Sequence, residues 1–309
     1  MRRRICIGTR GSKLAVIQAE SVLDKLKLIA PDIDFRLMKI TTKGDRASNI
    51  TLSRIAGEGI FVKELEEALI VGKIDMAVHS LKDMPTEIPQ GLILAAVTER
   101  LDPRDAFVSN GGKLAELAPG CIIGTGSSRR AVQVLSYRPD LKIKDLRGNI
   151  ETRLRKLSNG HYDGIIMAAA ALTRFGWEKC VTEYLPVEHF VPEVGQGALG
   201  IETRSDRDDV CSLLLNLNHT LTRQCVLAER SFLKALGGGC RAPITALGSY
   251  TGNSMRLDGM VAGVHSNKIV RCTVESNVME FENLGMELAM RMADMDAMSL
   301  ISEANNYKI

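Results

Sequence analysis

No apolar run in this sequence is long enough to cross a membrane. The longest, Gly164 to Leu172 ("GIIMAAAAL"), falls far short of the ~20 residues that a spanning helix needs. The start, "MRRRICIGTRGSK", has basic residues but no apolar stretch behind them, so it reads as neither a signal peptide nor an anchor. Excess charge of one sign is also missing. The 40 basic and 37 acidic residues leave a net charge of +3, too balanced to point to nucleic acid or a membrane surface. The seven cysteines are odd in number and none forms a CxxC pair, which argues against a disulfide framework or a zinc site and for a reducing compartment. Nucleotide signatures are lacking too. No GxGxxG follows the first strand, and "GTGSS" (Gly124 to Ser128) lacks the Gly-Lys-Ser/Thr ending of a P-loop. What remains is a soluble, cytoplasmic chain of 309 residues, 45% apolar, long enough for two or three domains.

Short apolar strands alternate with amphipathic helices from the start. "RICIGT" reads as a strand and "SKLAVIQAESVLDKLKLIA" as a helix with Leu14, Ile17, Val22 and Leu26 near one face. "DFRLMKI", "DMAVH" and "LILAAVT" are further strands, with the helix "IFVKELEEALIVG" between them. This alternation predicts a mainly parallel sheet. The pattern restarts at "DPRDAFVS" and "CIIGT", followed by the helices "SSRRAVQVLSYR" and "IETRLRKLSNG" and the strand "YDGIIMAAA". Two α/β domains with a central cleft are therefore expected, with "VPEVGQGALGIETR" crossing back. After about Leu221 a long helix, three strand-like runs and a Met-rich helix predict a small α+β domain, its methionines filling the core. The expected boundaries are 1–98 with 198–216, 103–192, and 220–309.

The chemistry gathers at strand ends. "HSLKDMP" (His79 to Pro85) follows the apolar "IDMAV", so a buried strand delivers a histidine, a serine, a lysine and an aspartate before a proline stops it. Ligands of open α/β sheets bind at such ends. Arg10, Arg129, Arg130, Arg147, Arg153 and Arg174 recur at equivalent places, and arginine grips carboxylate or phosphate with paired hydrogen bonds. Asp83 is the candidate for charged chemistry, able to stabilise a cationic intermediate and exchange protons with an amine. Cys240, in "LGGGCRAPI" beside Arg241, is the candidate functional thiol. These residues also suit a two-lobed anion-binding protein of the periplasmic type. A LysR-type effector-binding module is a further reading, although residues 1–10 leave no room for a DNA-binding helix-turn-helix.

The segments "IGTRGSKLAVIQA", "TKGDR", "GIFVKELEEALIVGKIDMAVHSLKDMP", "DPRDAFVS", "LRGNIETRL", "VPEVGQGALGIE" and "GGGCRAPI" together resemble the porphobilinogen deaminase (hydroxymethylbilane synthase) family, in family order over nearly the whole chain. The resemblance implies an α/β fold of two periplasmic-binding-protein-like (type II) domains and a small α+β C-terminal domain. It implies a transferase that condenses four porphobilinogen units onto a dipyrromethane primer, held by a thioether to Cys240, and then hydrolyses off linear hydroxymethylbilane in tetrapyrrole (heme) synthesis. Asp83 matches the catalytic aspartate. Ser80, Lys82, Thr125, Ser127, Arg129, Arg130 and Arg153 match cofactor-binding positions, and Arg10, Ser12, Gln18, Arg147 and Arg174 match substrate-binding ones. Phe61 matches an aromatic of the active-site loop, and His79 is expected to be structural. No metal is implied, and a monomer is expected, with a small-molecule substrate and neither nucleic acid nor a membrane as partner. Three positions depart from the family pattern: Arg241 replaces a glutamine, Gly126 a serine, and Glu58 a lysine.

Overall fold

The computed structural model describes residues 3–42, 61–237, 242–264, 266, 268–277 and 281–305. Cys240, Arg241 and Glu58 lie outside the described residues. The chain divides into two compact units, Met1–Leu101 with Gly195–Gln224, and Asp102–Val194 with Cys225–Ile309.

The first unit is built on β1 (Arg4–Arg10), β2 (Asp34–Ile40), β3 (Met76–Ser80), β4 (Leu92–Val97) and β10 (Leu199–Arg204), in the order β2-β1-β3-β10-β4. β1 pairs in parallel with β2 and β3, but β10 runs antiparallel to both β3 and β4. The sheet is thus mixed rather than mainly parallel. β10 arrives from the far side of the second unit's sequence, so no crossover helix constrains its direction. Helix α1 (Lys13–Ile29) starts at Ser12, whose hydroxyl accepts from Ala15 N at 3.3 Å. Its buried face is Ala15, Gln18, Ala19, Val22 and Leu26. Leu14 and Ile17 are only partly buried, because the alanines bring the helix axis close to the sheet and turn the larger side chains aside. Ile5, Ile7, Met76, Val78 and Ile201 meet this face of α1. On the opposite face, α2 (Lys63–Ile70) packs Leu65 and Leu69 onto Ile74, Ala77 and Leu92. Coverage of both faces explains why strands such as "MAV" are apolar throughout.

The second unit repeats the plan. Its sheet runs β7 (Lys142–Lys144), β6 (Ile122–Gly124), β8 (Gly164–Ala168), β5 (Asp105–Ser109), β9 (Glu183–Tyr184). β6 is parallel to β7 and β8, and β5 is antiparallel to β8 and β9. Order and direction match the first sheet strand for strand. The same unit carries an antiparallel meander, β11 (Ile244–Thr251), β12 (Ser254–Ala262) and β13 (Ile269–Asn277). Its core joins Ala228 and Phe232 of α7 (Thr220–Ala235) to Leu284, Leu288 and Met292 of α8 (Phe281–Asp294). Met292 fills the core as expected, whereas Met286 and Met290 are exposed. Val132 and Val191 pack on Leu247, Met260 and Ala262, fastening the meander to the α/β part of this unit.

Among the described residues no helix is long and apolar enough to cross a membrane, and no group of three or more His, Cys, Asp or Glu could hold a metal ion.

Candidate active site

In the first unit, β3 ends at Ser80 and the chain tightens into a single 3-10 turn, Leu81–Asp83. Met84 is extended, as the residue before a proline must be, and Pro85 prevents continuation. Leu81 and Met84 are buried on either side of Lys82 and Asp83, so the turn is anchored by its apolar residues and presents its charged ones. Leu81 N donates to Ala198 O at 3.1 Å, tying the turn to the segment before β10.

Around this turn the structure assembles most of the first-unit residues expected from the sequence. Arg10, at the end of β1, places Nη1 3.8 Å from Asp83 Oδ2, with the two side chains 20% and 34% exposed. That is an ion pair open enough for a ligand to enter. The Phe61 ring lies over the Arg10 guanidinium, 4.0 Å from ring centroid to Cζ. Gln18 and Ser80 exchange hydrogen bonds, Gln18 Nε2 donating to Ser80 Oγ at 2.8 Å and Ser80 Oγ to Gln18 Oε1 at 3.0 Å. Ser12 is occupied as the cap of α1.

Sequence reasoning passed over Gln196. It is 1% exposed and accepts from Lys82 Nζ at 3.1 Å. It sits between Gly195 and Gly197, whose φ angles of +71° and +94° only glycine adopts readily. A Cβ on Gly197 would also stand 2.4 Å from Leu101 O. The signal was present in "VGQGA": two glycines flanking one amide mark a backbone bent to aim a side chain.

In the second unit, β6 runs into Thr125, Gly126 and Ser127, and Ser127 caps α3 (Ser128–Tyr137). Ser127 N donates to Thr125 Oγ1 at 3.2 Å. A Cβ on Gly126 would press to 3.0 Å on Leu146 O and 3.1 Å on Asp145 Oδ1, so the glycine here suits the close approach of the 145–147 segment.

Arg129 and Arg130, on the first turn of α3, are 3% and 7% exposed. Both converge on Asp105, which opens β5 with no exposure at all. Arg129 Nη1 donates to Asp105 Oδ2 at 2.8 Å and to Val191 O at 2.7 Å, while its Nε reaches Glu193 Oε2 at 3.1 Å. Arg130 donates to Asp105 Oδ1 through Nη2 at 2.7 Å and Nε at 3.1 Å. Burial alone would raise the Asp105 carboxyl, but the two guanidiniums outweigh it and hold the group well below the usual carboxylate range. Asp105 was missed in the sequence because its partners lie more than twenty residues away; two adjacent buried arginines are the signal that demands it.

Arg153 donates through Nε to Gly148 O at 2.7 Å, and Arg147 through Nε to Asp145 Oδ2 at 3.0 Å. Burial, then the charges of Arg130 and Arg147, push the Arg153 guanidinium down to about 10, with Asp145 opposing. Arg174, at the end of α5 (Ala169–Phe175), is brought down to about 10 by burial. A buried guanidinium such as that of Arg153 or Arg174, deprived of water, is stabilised by an incoming anion. A ligand carrying several carboxylates fits this cluster.

The description "Porphobilinogen deaminase, dipyromethane cofactor binding domain" matches residues 5–212, and "Porphobilinogen deaminase, C-terminal domain" matches residues 223–294. The porphobilinogen deaminase of Bacillus subtilis (strain 168) is 47% identical over 304 residues, 97% of this chain and 96% of that relative. Its counterpart in Brevibacillus brevis is 49% identical over 269 residues, covering 86% of this chain and 87% of that one. Among solved structures, the methionine-binding protein MetQ aligns over 69% of this chain and 89% of its own at 15% identity, with a TM-score of 0.41. The family models span both units and the relatives run nearly end to end with this sequence: the chain belongs to the porphobilinogen deaminase family.

Proposed function

We propose that this chain is a hydroxymethylbilane synthase, which joins four porphobilinogen units with loss of ammonia at each step and releases the linear tetrapyrrole by hydrolysis. In each condensation the aminomethyl C–N bond breaks, ammonia leaves, a C–C bond forms to the free α-carbon of the growing chain, and that carbon loses its proton. The observation that carries this reading is Asp83: a half-open carboxylate fixed at a strand end, 3.8 Å from Arg10.

Asp83 is proposed to face the substrate's pyrrole N–H and to balance the cation left when ammonia departs. It is also the group able to pass a proton to the leaving amine and to take one from the attacking carbon. Arg10 offers a carboxylate contact beside it, and Phe61 a ring surface over that contact. Lys82, steadied by Gln196, adds a cation on the same turn. In the second unit Arg147, Arg153 and Arg174, with Thr125 and Ser127 at the α3 terminus, are proposed to hold acetate and propionate groups. The family's dipyrromethane supplies, when bound, the pyrrole carbon that starts the chain, and we assign its thioether to Cys240 on the strength of the "GGGCRAP" match. Two pyrroles with four carboxylates suit the buried guanidiniums of Arg153 and Arg174 in this unit. The chain is read as a cytoplasmic monomer, as the family resemblance implies.

The test is stoichiometric. With porphobilinogen, the purified chain should release four ammonia molecules for each linear tetrapyrrole. Saturable porphobilinogen binding with no ammonia released would instead support a two-lobed anion-binding protein.

A further inference from the structure

Among its described residues, the first unit buries three titratable side chains to which the proposed chemistry gives no role. His79 of β3 and Glu202 of β10 are 4% and 0% exposed, and His79 Nε2 lies 3.1 Å from Glu202 Oε2. Glu66, on α2, is 8% exposed. Among the described residues, Glu66 Oε1 and Glu202 Oε1 have no hydrogen-bond partner. A buried carboxylate oxygen without a donor costs on the order of 1–3 kcal/mol, which an apolar residue in its place would avoid.

The group sits directly beside the catalytic turn. Register pairs His79 with Gly200, two residues before Glu202 on β10. A Cβ on Gly200 would meet Leu81 Cδ1 and Met84 Sδ at 2.7 Å each. Leu81 and Met84, which bracket Lys82 and Asp83, therefore seat in the gap that Gly200 leaves on this sheet face. Whatever fixes β3 against β10 here also fixes the platform from which Asp83 projects.

We propose that Glu66, Glu202 and His79 are positioning residues for Asp83, holding the β3–β10 floor under its turn, with Glu66 as the member that carries the proton. The inference rests on Asp83 as the catalytic carboxylate. Geometry assigns the proton: of two buried carboxylates in a water-poor site, Glu202 has His79 Nε2 at 3.1 Å, whereas Glu66 Oε1 has no partner among the described residues. Burial, then the charge of Glu202, pushes the Glu66 carboxyl up, with His79 opposing; Glu67 and Lys63 on its own helix add smaller effects of opposite sign. Of the elements packed against α2, β4 has no charged residue, β10 adds Arg204 at its end, where it bonds Asp206, and β1 brings Arg4 at its far end and Arg10, which faces Asp83.

Loss of the Glu66 proton would set a second anion beside Glu202 and loosen the floor. Turnover should then fall on the alkaline side while KM, governed by the arginines, moves less. The sign for stability agrees: the folded state keeps a proton that the unfolded chain releases, so stability is lost as pH rises from the ordinary carboxylate range through the raised folded value.

The experiment compares kcat and KM against pH for the full-length holoenzyme and its Glu66→Gln and Glu202→Gln variants. Glu66→Gln should remove the alkaline fall in kcat. Glu202→Gln should lower kcat on the order of ten- to a hundredfold, with KM within about twofold. Infrared spectroscopy of the parent should show a protonated-carboxyl stretch at neutral pH that Glu66→Gln lacks, a readout that needs no turnover and no Glu202 variant. An unchanged pH profile in Glu66→Gln, or survival of that band, overturns the proposal. A parent chain without deaminase activity would instead sink the functional reading, while the infrared result still decides where the proton lies.

Discussion

Replacing Asp83 with asparagine should lower kcat on the order of 10²–10⁴-fold while leaving the fold and the bound primer intact. The asparagine keeps the shape and part of the hydrogen bonding but can neither balance a developing cation nor hold a proton. The structural cost should be small. At 3.8 Å and partly exposed, the Arg10–Asp83 pair belongs to the class of ion pairs worth ~0–1 kcal/mol. Leu81, Met84 and the Leu81 N–Ala198 O bond should hold the turn whatever residue stands at 83. Steady-state turnover together with a thermal midpoint checks this. Near-parent kcat would remove Asp83 from the chemistry, and a variant that unfolds early would contradict the small structural cost.

Asp105→Asn should act in the opposite way, on stability first. Its carboxylate is the shared acceptor for Arg129 and Arg130, and all three side chains are buried. Taking away one member of such a set leaves uncompensated charge in a low-dielectric interior, at a cost of about 3–5 kcal/mol. For a unit of this size that is a fall in thermal midpoint on the order of 10 °C. Glu193 and Val191 O still hold Arg129, and Ile166 O still accepts from Arg130 Nη1 at 3.3 Å, so what is lost is the shared charge compensation rather than every hydrogen bond. The pH dependence follows from the depressed carboxyl. A group whose folded pKa lies below its unfolded value contributes fully above the unfolded value, ~3.9 for aspartate, and loses that contribution only as pH falls through the folded one. The stability gap between parent and variant should be constant above about pH 5 and narrow only in acid. Denaturant melts across pH measure it, and a gap below 1 kcal/mol at neutral pH would contradict the account.

The two residues divide what could be read from the sequence. Asp83 was legible because strand, turn and proline are local: "IDMAVHSLKDMP" carries the whole device in one segment. Asp105, Gln196, Glu66 and Glu202 were not singled out, because each acts through a partner distant in sequence. Glu202, for example, is 123 residues from His79. The reversal of β10 was hidden for a related reason, since apolar periodicity marks a strand but not its direction when the strand returns from another unit. The inward face of α1 was misplaced because alanine, a weak hydrophobic signal, is what packs closest to the sheet.

The central claim is most directly tested by intact mass spectrometry of the full chain and a Cys240→Ala variant, both expressed in a cell that makes porphobilinogen. The parent should weigh more than its sequence by two substrate-derived pyrrole units, and the variant should not. Parent chain at its bare sequence mass, or the same added mass on the Cys240→Ala variant, would contradict a primer carried by Cys240.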